Sequence, residues 1–494
     1  MLGLSSRSAR RALALAVAAP LAFAAAAAAQ TPAPAPEVVD PELAVRTVAS
    51  GLNQPTSLAF LGRGDFLVLE KASGQVKRVV NGQVRGPVLD LAVNSASERG
   101  LLGIALHPRF RRNGYVYLFW SESRTGADTT TLDGVRLMGN RIDRFQWNGE
   151  ALQFDRSILR FRAFQADENQ PLRGNHDGGV LRFGPDGKLY AIVGDTGRRG
   201  RLQNLVNGPF GPGLPDDQFG GPEPDDLHRT GVIVRLNPDG STPRDNPFFD
   251  AGGAMGGEVG ENVQRIFAYG IRNSFGMAFD PRSGDLWEQE NGDDSFSELN
   301  RVEPGMNSGW VQIMGPASRV AQFKAIETDT TTGRPDAPNG YFGLQQVRWL
   351  PTNIADTPAE ALSRMFTLPG AEFSDPELSW KYEVGPGGIG FLRGRRLGAR
   401  YAGDLFMGGS TARLRNGHLF RIRINRDRDG VAASDPALAD GVADNLMKWD
   451  LTESQSLLFG ENFGVVTDIQ TGPEGALYVV SLSTGSVLAV DRAD

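Results

Sequence analysis

The chain has 494 residues, 51 Lys and Arg against 58 Asp and Glu, a formal net charge of −7 and no cysteine. That acidic balance excludes nucleic acid and anionic membrane surfaces as principal partners. The missing cysteines exclude a disulfide framework, thiolate metal sites and a lipid-anchor cysteine, and 62 glycines with 30 prolines favour short strands and turns over helices.

In chain order, MLGLSSRSARR is basic and ALALAVAAPLAFAAAAAA follows it, ending in an A-x-A pattern. This reads as a secretory signal peptide over residues 1–29. A membrane anchor is the competing reading, because the apolar run is almost long enough to span. Alanine is only weakly apolar, however, and a Pro/Ala-rich linker follows at 30–44. Cleavage is therefore expected, giving a periplasmic or secreted protein with no membrane insertion.

From residue 45 to 494 one pattern recurs. An alternating apolar stretch, a turn rich in Pro, Asp or Gly, and a second alternating stretch appear at 57–80, 101–120, 180–195, 276–292, 388–409 and 466–491. Period-2 apolarity across turn dipeptides marks antiparallel hairpins. A hairpin cannot bury both faces alone, so six copies predict an all-β fold, a six-bladed β-propeller with long inserted loops on one face. The largest insertion is placed at about 311–385, with one short helix at TPAEALSRMF. A sandwich or two separate β domains is the alternative.

The chemistry-bearing residues fall on hairpin corners. His176, one of only four histidines, sits in GNHDGG before the third hairpin, and Asp195 ends it. Antiparallel pairing returns Asp195 to the end of the sheet where His176 starts. A carboxylate there would hold one imidazole nitrogen and leave the other as a base; a turn histidine capping a carbonyl is the competing reading. Arg272-Asn273 occupy the corresponding corner of the next hairpin, where an arginine suits a carboxylate ligand or a surface ion pair. EQENGDDSFSELN (288–300) gathers Glu288, Glu290, Asp293, Asp294 and Glu298 around Gly292, a composition for a hard cation such as calcium or for a solvated acidic turn. Arg413 and Arg415 are two apart, so on a strand both face one side.

Five segments carry a family resemblance: ERGLLGIALHPRFRRNGYVY, NHDGGVLRFGPDGKLYAIVGD, GVIVRLNPDGSTPRDNPFF, YGIRNSFGMAFD and ENGDDSFSELNRVEPGMNSGW. In this order the chain resembles the soluble PQQ-dependent sugar dehydrogenases of the glucose/sorbosone dehydrogenase superfamily, over about 45–492. The resemblance implies a six-bladed propeller that holds pyrroloquinoline quinone (PQQ) and calcium on its axial face and oxidises an aldose or related sugar to its lactone. His176 would take the anomeric hydroxyl proton, Asp195 would orient it, and Arg272 would stand by the quinone with Asn273 beside it. Glu98, Arg393, Arg413 and Arg415 would contact the cofactor, and the carbonyls of Gly292 and Asp293 would ligate its calcium. PQQ carries three carboxylates, which guanidinium forks recognise in pairs.

The chain departs from that pattern in three places. Asp293 stands where the family turn has proline, Gly200 stands where some relatives place a glutamine near the substrate, and the acidic turn is longer, so a second structural calcium is not expected. Glucose itself is not implied, and the electron acceptor is external and unidentified. Two other functions compete. A calcium-dependent propeller lactonase or esterase needs no arginines around a polyanion, and a non-catalytic glycan- or protein-binding propeller needs no His–Asp–Arg set. His107 and His228 read as structural, and His418 as an edge-strand residue.

Overall fold

The computed structural model describes residues 34–164, 174–197, 229–310, 312–329, 354–414 and 416–493. The signal-peptide reading, Gly200, His228 and Arg415 lie outside them. The described residues form one compact unit.

Among the described residues the strands form six sheets, and each is opened by one of the recurring hairpins. The first strands are Pro55–Gly62, Leu101–Leu106, Leu181–Phe183, Gly276–Phe279, Pro386–Phe391 and Val466–Thr471. Each of these neighbours the next, and the sixth neighbours the first, so they close a ring. The last sheet is completed from the other end of the chain. Leu43–Ala49 pairs antiparallel with Ser486–Arg492 and ties the start of the domain to its end. The architecture is an all-β propeller.

Side-chain alternation builds the ring. Leu67 and Leu69 face the second sheet and pack with Leu101, Ile104, Val116 and Leu118. The intervening Phe66 and Val68 face the last sheet and pack with Tyr478, Val480 and Val487. A strand with both faces covered reads as a continuous apolar run, and the hydrophobic core lies between sheets rather than along the axis. Near the axis the backbones themselves touch: a Cβ on Gly387 would lie 2.1 Å from the Val466 carbonyl oxygen, and one on Gly390 2.1 Å from that of Ile469. Only glycine permits that approach.

Two expectations change. The segment assigned to an insertion as far as residue 385 contains Leu378–Tyr382, which pairs with Ser295–Val302 as a regular member of the fourth sheet. Its LSWKY pattern packs Leu378 and Trp380 inward, which the Pro- and Gly-rich surroundings obscured. His418 begins the strand His418–Ile422, which lies between Leu405–Gly409 and Leu458–Glu461 and is not an edge. The expected short helix spans Pro358–Arg364, capped by Thr357, whose side chain accepts from the Glu360 N–H. His107 is structural, its Nδ1 accepting the Arg109 N–H at 2.9 Å.

Candidate active site

Where the first strands begin, the connections converge on one cavity of about 550 Å³. Glu98, His176, Arg272, Asn273, Gly292 and Asp293 all line it. Residues from the second, third and fourth hairpins therefore meet in space, although almost 200 positions separate Glu98 from Asp293.

His176 owes its position to backbone geometry. It adopts φ +59°, followed by Gly178 at +61° and Gly179 at +93°. A Cβ on Gly178 would stand 2.5 Å from the Ile192 carbonyl, and one on Gly179 2.8 Å from the Leu102 side chain. The glycines let the corner press against the third and second sheets. A left-handed histidine costs on the order of 1 kcal/mol or more, and neighbouring bonds hold it there. The His176 N–H donates to Glu98 Oε2 at 2.6 Å, and its carbonyl accepts from the Gly194 N–H at 3.1 Å.

The ring Nδ1 lies 2.5 Å from Asp195 Oδ1, with both side chains almost wholly buried. Burial pushes the Asp195 carboxyl up, but the His176 charge and hydrogen bond, Arg272 and the Gly197 N–H outweigh it and hold the group below the usual carboxylate range. Asp195 therefore stays ionised and accepts. Nδ1 then carries the hydrogen, and Nε2 is left as the basic nitrogen. The second Asp195 oxygen accepts the Trp310 indole N–H at 2.9 Å, and the Asp195 N–H donates to the Arg272 carbonyl at 2.8 Å.

Arg272 is 3% exposed. Its guanidinium donates to the Asn291 carbonyl at 2.7 Å and to Asp293 Oδ1, and it lies 5.4 Å from the Trp310 ring centroid. Asn273 donates to Glu98 at 3.4 Å, and its buried Oδ1 has no hydrogen-bond partner among the described residues.

The acidic turn is buried and ion-paired, not solvated. Asp293 pairs with Arg272, and Asp294 Oδ1 is 2.6 Å from Lys448 Nζ. Glu288, Glu290 and Glu298 share one buried face of the fourth sheet, where Asn300 donates to Glu288 at 2.7 Å and to Glu298 at 3.1 Å. Among the described residues no group of three His, Asp or Glu side chains has metal-holding geometry. Burial pushes Glu288 to about 7 and Glu298 to about 8, against the opposing hydrogen bonds from Asn300. The folded protein thus retains protons that the unfolded chain releases near pH 4.5. This contribution to stability is complete below that pH and is lost as pH rises through 7 to 8. Glu298→Gln is expected to flatten the fall in melting temperature between pH 5 and 8; parallel curves for variant and parent would refute it.

Arg393 is not brought to the cavity. It lines a cleft of about 170 Å³ with Arg182, Phe279, Phe391 and Thr471, where the first strands end. It follows Gly387 by six residues of mostly extended chain, about 20 Å, so the strand carries it to the opposite mouth. Arg413 is exposed and lines an adjoining cavity of about 520 Å³ that shares Lys448 and Trp449 with the first. Three lining or supporting residues were missed from sequence: Lys448, Glu383 and Trp310. Trp310 stands in the quoted ENGDDSFSELNRVEPGMNSGW segment, but nothing in its spacing ties it to Asp195; Lys448 and Glu383 lie in no motif.

A closed ring of sheets whose channel mouth carries a histidine held by an ionised aspartate, a buried arginine and a small-molecule-sized cavity is the frame of a propeller enzyme. The chain belongs to the glucose/sorbosone dehydrogenase family, whose profile matches residues 52–342. It is 29% identical to quinoprotein glucose dehydrogenase B of Acinetobacter calcoaceticus over 55% of this chain and 52% of that one. It is 27% identical to the aldose sugar dehydrogenase YliI of Escherichia coli over 54% of this chain and 61% of that one. The matched region thus spans little more than half of either relative. The PQQ-bound aldose sugar dehydrogenase of Streptomyces coelicolor shares the fold, with a TM-score of 0.53 and 23% identity over 93% of this chain and all of that one. Among the described residues no helix is long and apolar enough to cross a membrane.

Proposed function

We propose that this protein is a PQQ-dependent dehydrogenase that oxidises an aldose or related sugar to its lactone, with each of the six sheets serving as one blade. The observation that carries the proposal is the His176–Asp195 pair sharing one cavity with Arg272 and Asn273. The relatives' names, quinoprotein glucose dehydrogenase and aldose sugar dehydrogenase, supply the substrate class and cofactor.

The residues fit PQQ. The cavity is lined by two cationic side chains, Arg272 and Lys448, and by Asn273, whose buried Oδ1 lacks a partner among the described residues. PQQ, when bound, supplies the acceptor for the hydride that leaves the anomeric carbon. His176 Nε2 takes the proton of the anomeric hydroxyl, Asp195 stabilises the imidazolium that forms, and Arg272 with Asn273 orients the cofactor. Loss of that proton and hydride converts the hemiacetal to a lactone.

Calcium does not fit the Gly292–Asp293 turn as it stands. The Asp293 carbonyl accepts from Lys448 Nζ at 2.5 Å, and its carboxylate is held by Arg272. Export to the periplasm or beyond, with an external electron acceptor, completes the proposal and rests on residues 1–29.

The test is reconstitution of the purified apoprotein with PQQ, followed by absorption and dye-linked oxidation across an aldose panel. Binding with turnover on at least one aldose is expected; no PQQ binding would overturn the reading. Arg413, the one member of the expected arginine pair among the described residues, is expected to contribute through charge. Arg413→Ala should weaken PQQ uptake about tenfold, the loss of one charge-assisted hydrogen bond; unchanged uptake would remove Arg413 from the site.

A further inference from the structure

We propose that the Lys448 ammonium stands in the place of the divalent ion at the Gly292–Asp293 turn, so that the cavity carries a built-in cation and takes up its cofactor without calcium. This rests on the PQQ reading for the cofactor's identity, but not for the lysine's role at the turn.

Lys448 comes from a connection far along the chain, between the fifth sheet's strands His418–Ile422 and Leu458–Glu461. Its side chain is 3% exposed. Nζ donates to the Asp293 carbonyl at 2.5 Å and pairs with Asp294 Oδ1 at 2.6 Å. Both Lys448 and Asp293 line the cavity, so the charge stands where a cofactor anion would meet it. Glu383, buried on the same wall, adds a third carboxyl close enough for the Lys448 charge to act on it.

A calcium ion needs six to eight oxygens at about 2.3–2.6 Å. At this turn the Asp293 carbonyl and one oxygen of each aspartate carboxylate are already engaged. Lys448 takes the Asp293 carbonyl and the Asp294 carboxylate, and Arg272 takes the Asp293 carboxylate. Glu327 Oε1, beside them, accepts from the Asp294 and Ser295 N–H groups and from the Ser295 hydroxyl. A divalent ion at the Asp293 carbonyl would also sit within a few ångströms of two fixed cations, and like charges at that range repel strongly in a buried site. The Asp293 side chain, where the family turn has proline, recruits Arg272 and closes the arrangement.

Calcium titration of the metal-stripped, cofactor-free protein by calorimetry tests this. The parent is expected to bind one Ca²⁺ fewer than Lys448→Gln and Lys448→Met, while Lys448→Arg behaves as the parent. Equal stoichiometry and affinity in parent and both neutral variants, or no gain in either, would overturn the inference. Melting curves choose which neutral variant is read, since either can be used if the other misfolds. A second readout is PQQ uptake by absorption in excess EGTA. Parent uptake should change less than twofold, and that of the neutral variant should fall more than tenfold and recover with millimolar Ca²⁺. Abolition of parent uptake by EGTA would overturn the inference. Absence of PQQ binding under every condition would instead remove the cofactor reading, and the calcium titration would still decide the lysine.

Discussion

His176→Asn is expected to bind PQQ within about twofold of the parent and to lose two to four orders of magnitude in dye-linked turnover, the usual contribution of a positioned general base. Asparagine is the informative replacement because the site demands φ +59°, and asparagine tolerates the left-handed region better than most residues. The backbone bonds to Glu98 and Gly194 use main-chain atoms and survive the change. The variant thus removes Nε2 while keeping the corner. Single-turnover reduction of the reconstituted protein by sugar separates the chemical step from dye reoxidation. A rate within threefold of the parent would remove the base assignment.

Asp195→Asn should retain the fold and lower kcat by about 10²- to 10⁴-fold with little change in KM. An amide presented to Nδ1 can donate instead of accept, which places the imidazole hydrogen on Nε2 and abolishes the base; the corresponding change in a serine-protease triad acts by the same tautomer switch. The amide cannot satisfy its surroundings as the carboxylate does. Asp195 receives hydrogen bonds from the Gly197 N–H on Oδ1 and from the Trp310 indole on Oδ2. One asparagine oxygen can keep only one of these sides, so the melting temperature should also drop. The pH dependence carries a sign. The folded-state carboxyl lies below its ordinary value of 3.8, so its stabilisation is present above that pH and is lost as pH falls further. The variant should therefore lose stability at pH 7 and show a shallower acid transition. Parent-like kcat together with a parent-like acid limb would dismiss the pair as a structural hydrogen bond.

The hairpins were legible because strand alternation and turn dipeptides are local. Phe66 and Val68 against Leu67 and Leu69 show the alternation directly, each pair meeting a different neighbouring sheet. The His176–Asp195 relation was legible for the same reason: antiparallel pairing of Leu181–Phe183 with Leu189–Val193 returns the chain to its starting end. Where a strand runs its full length the same logic fails. Arg393 was placed with the cofactor residues on motif order, yet extended chain carried it to the opposite mouth.

By itself the amino-acid order determined the strands, the corners that need glycine, and which end of a hairpin receives His176, Asp195 or Arg272, because these depend on φ, ψ and a two-residue repeat. Only the closed ring decided that Lys448 meets Asp293, that Trp310 reaches Asp195, and that Glu288 and Glu298 are buried with raised proton affinity. Those contacts join segments more than a hundred residues apart or depend on what covers a sheet face. Electrostatics in a buried pocket follows distance in space and loss of water, and neither is written in the spacing of residues along the chain.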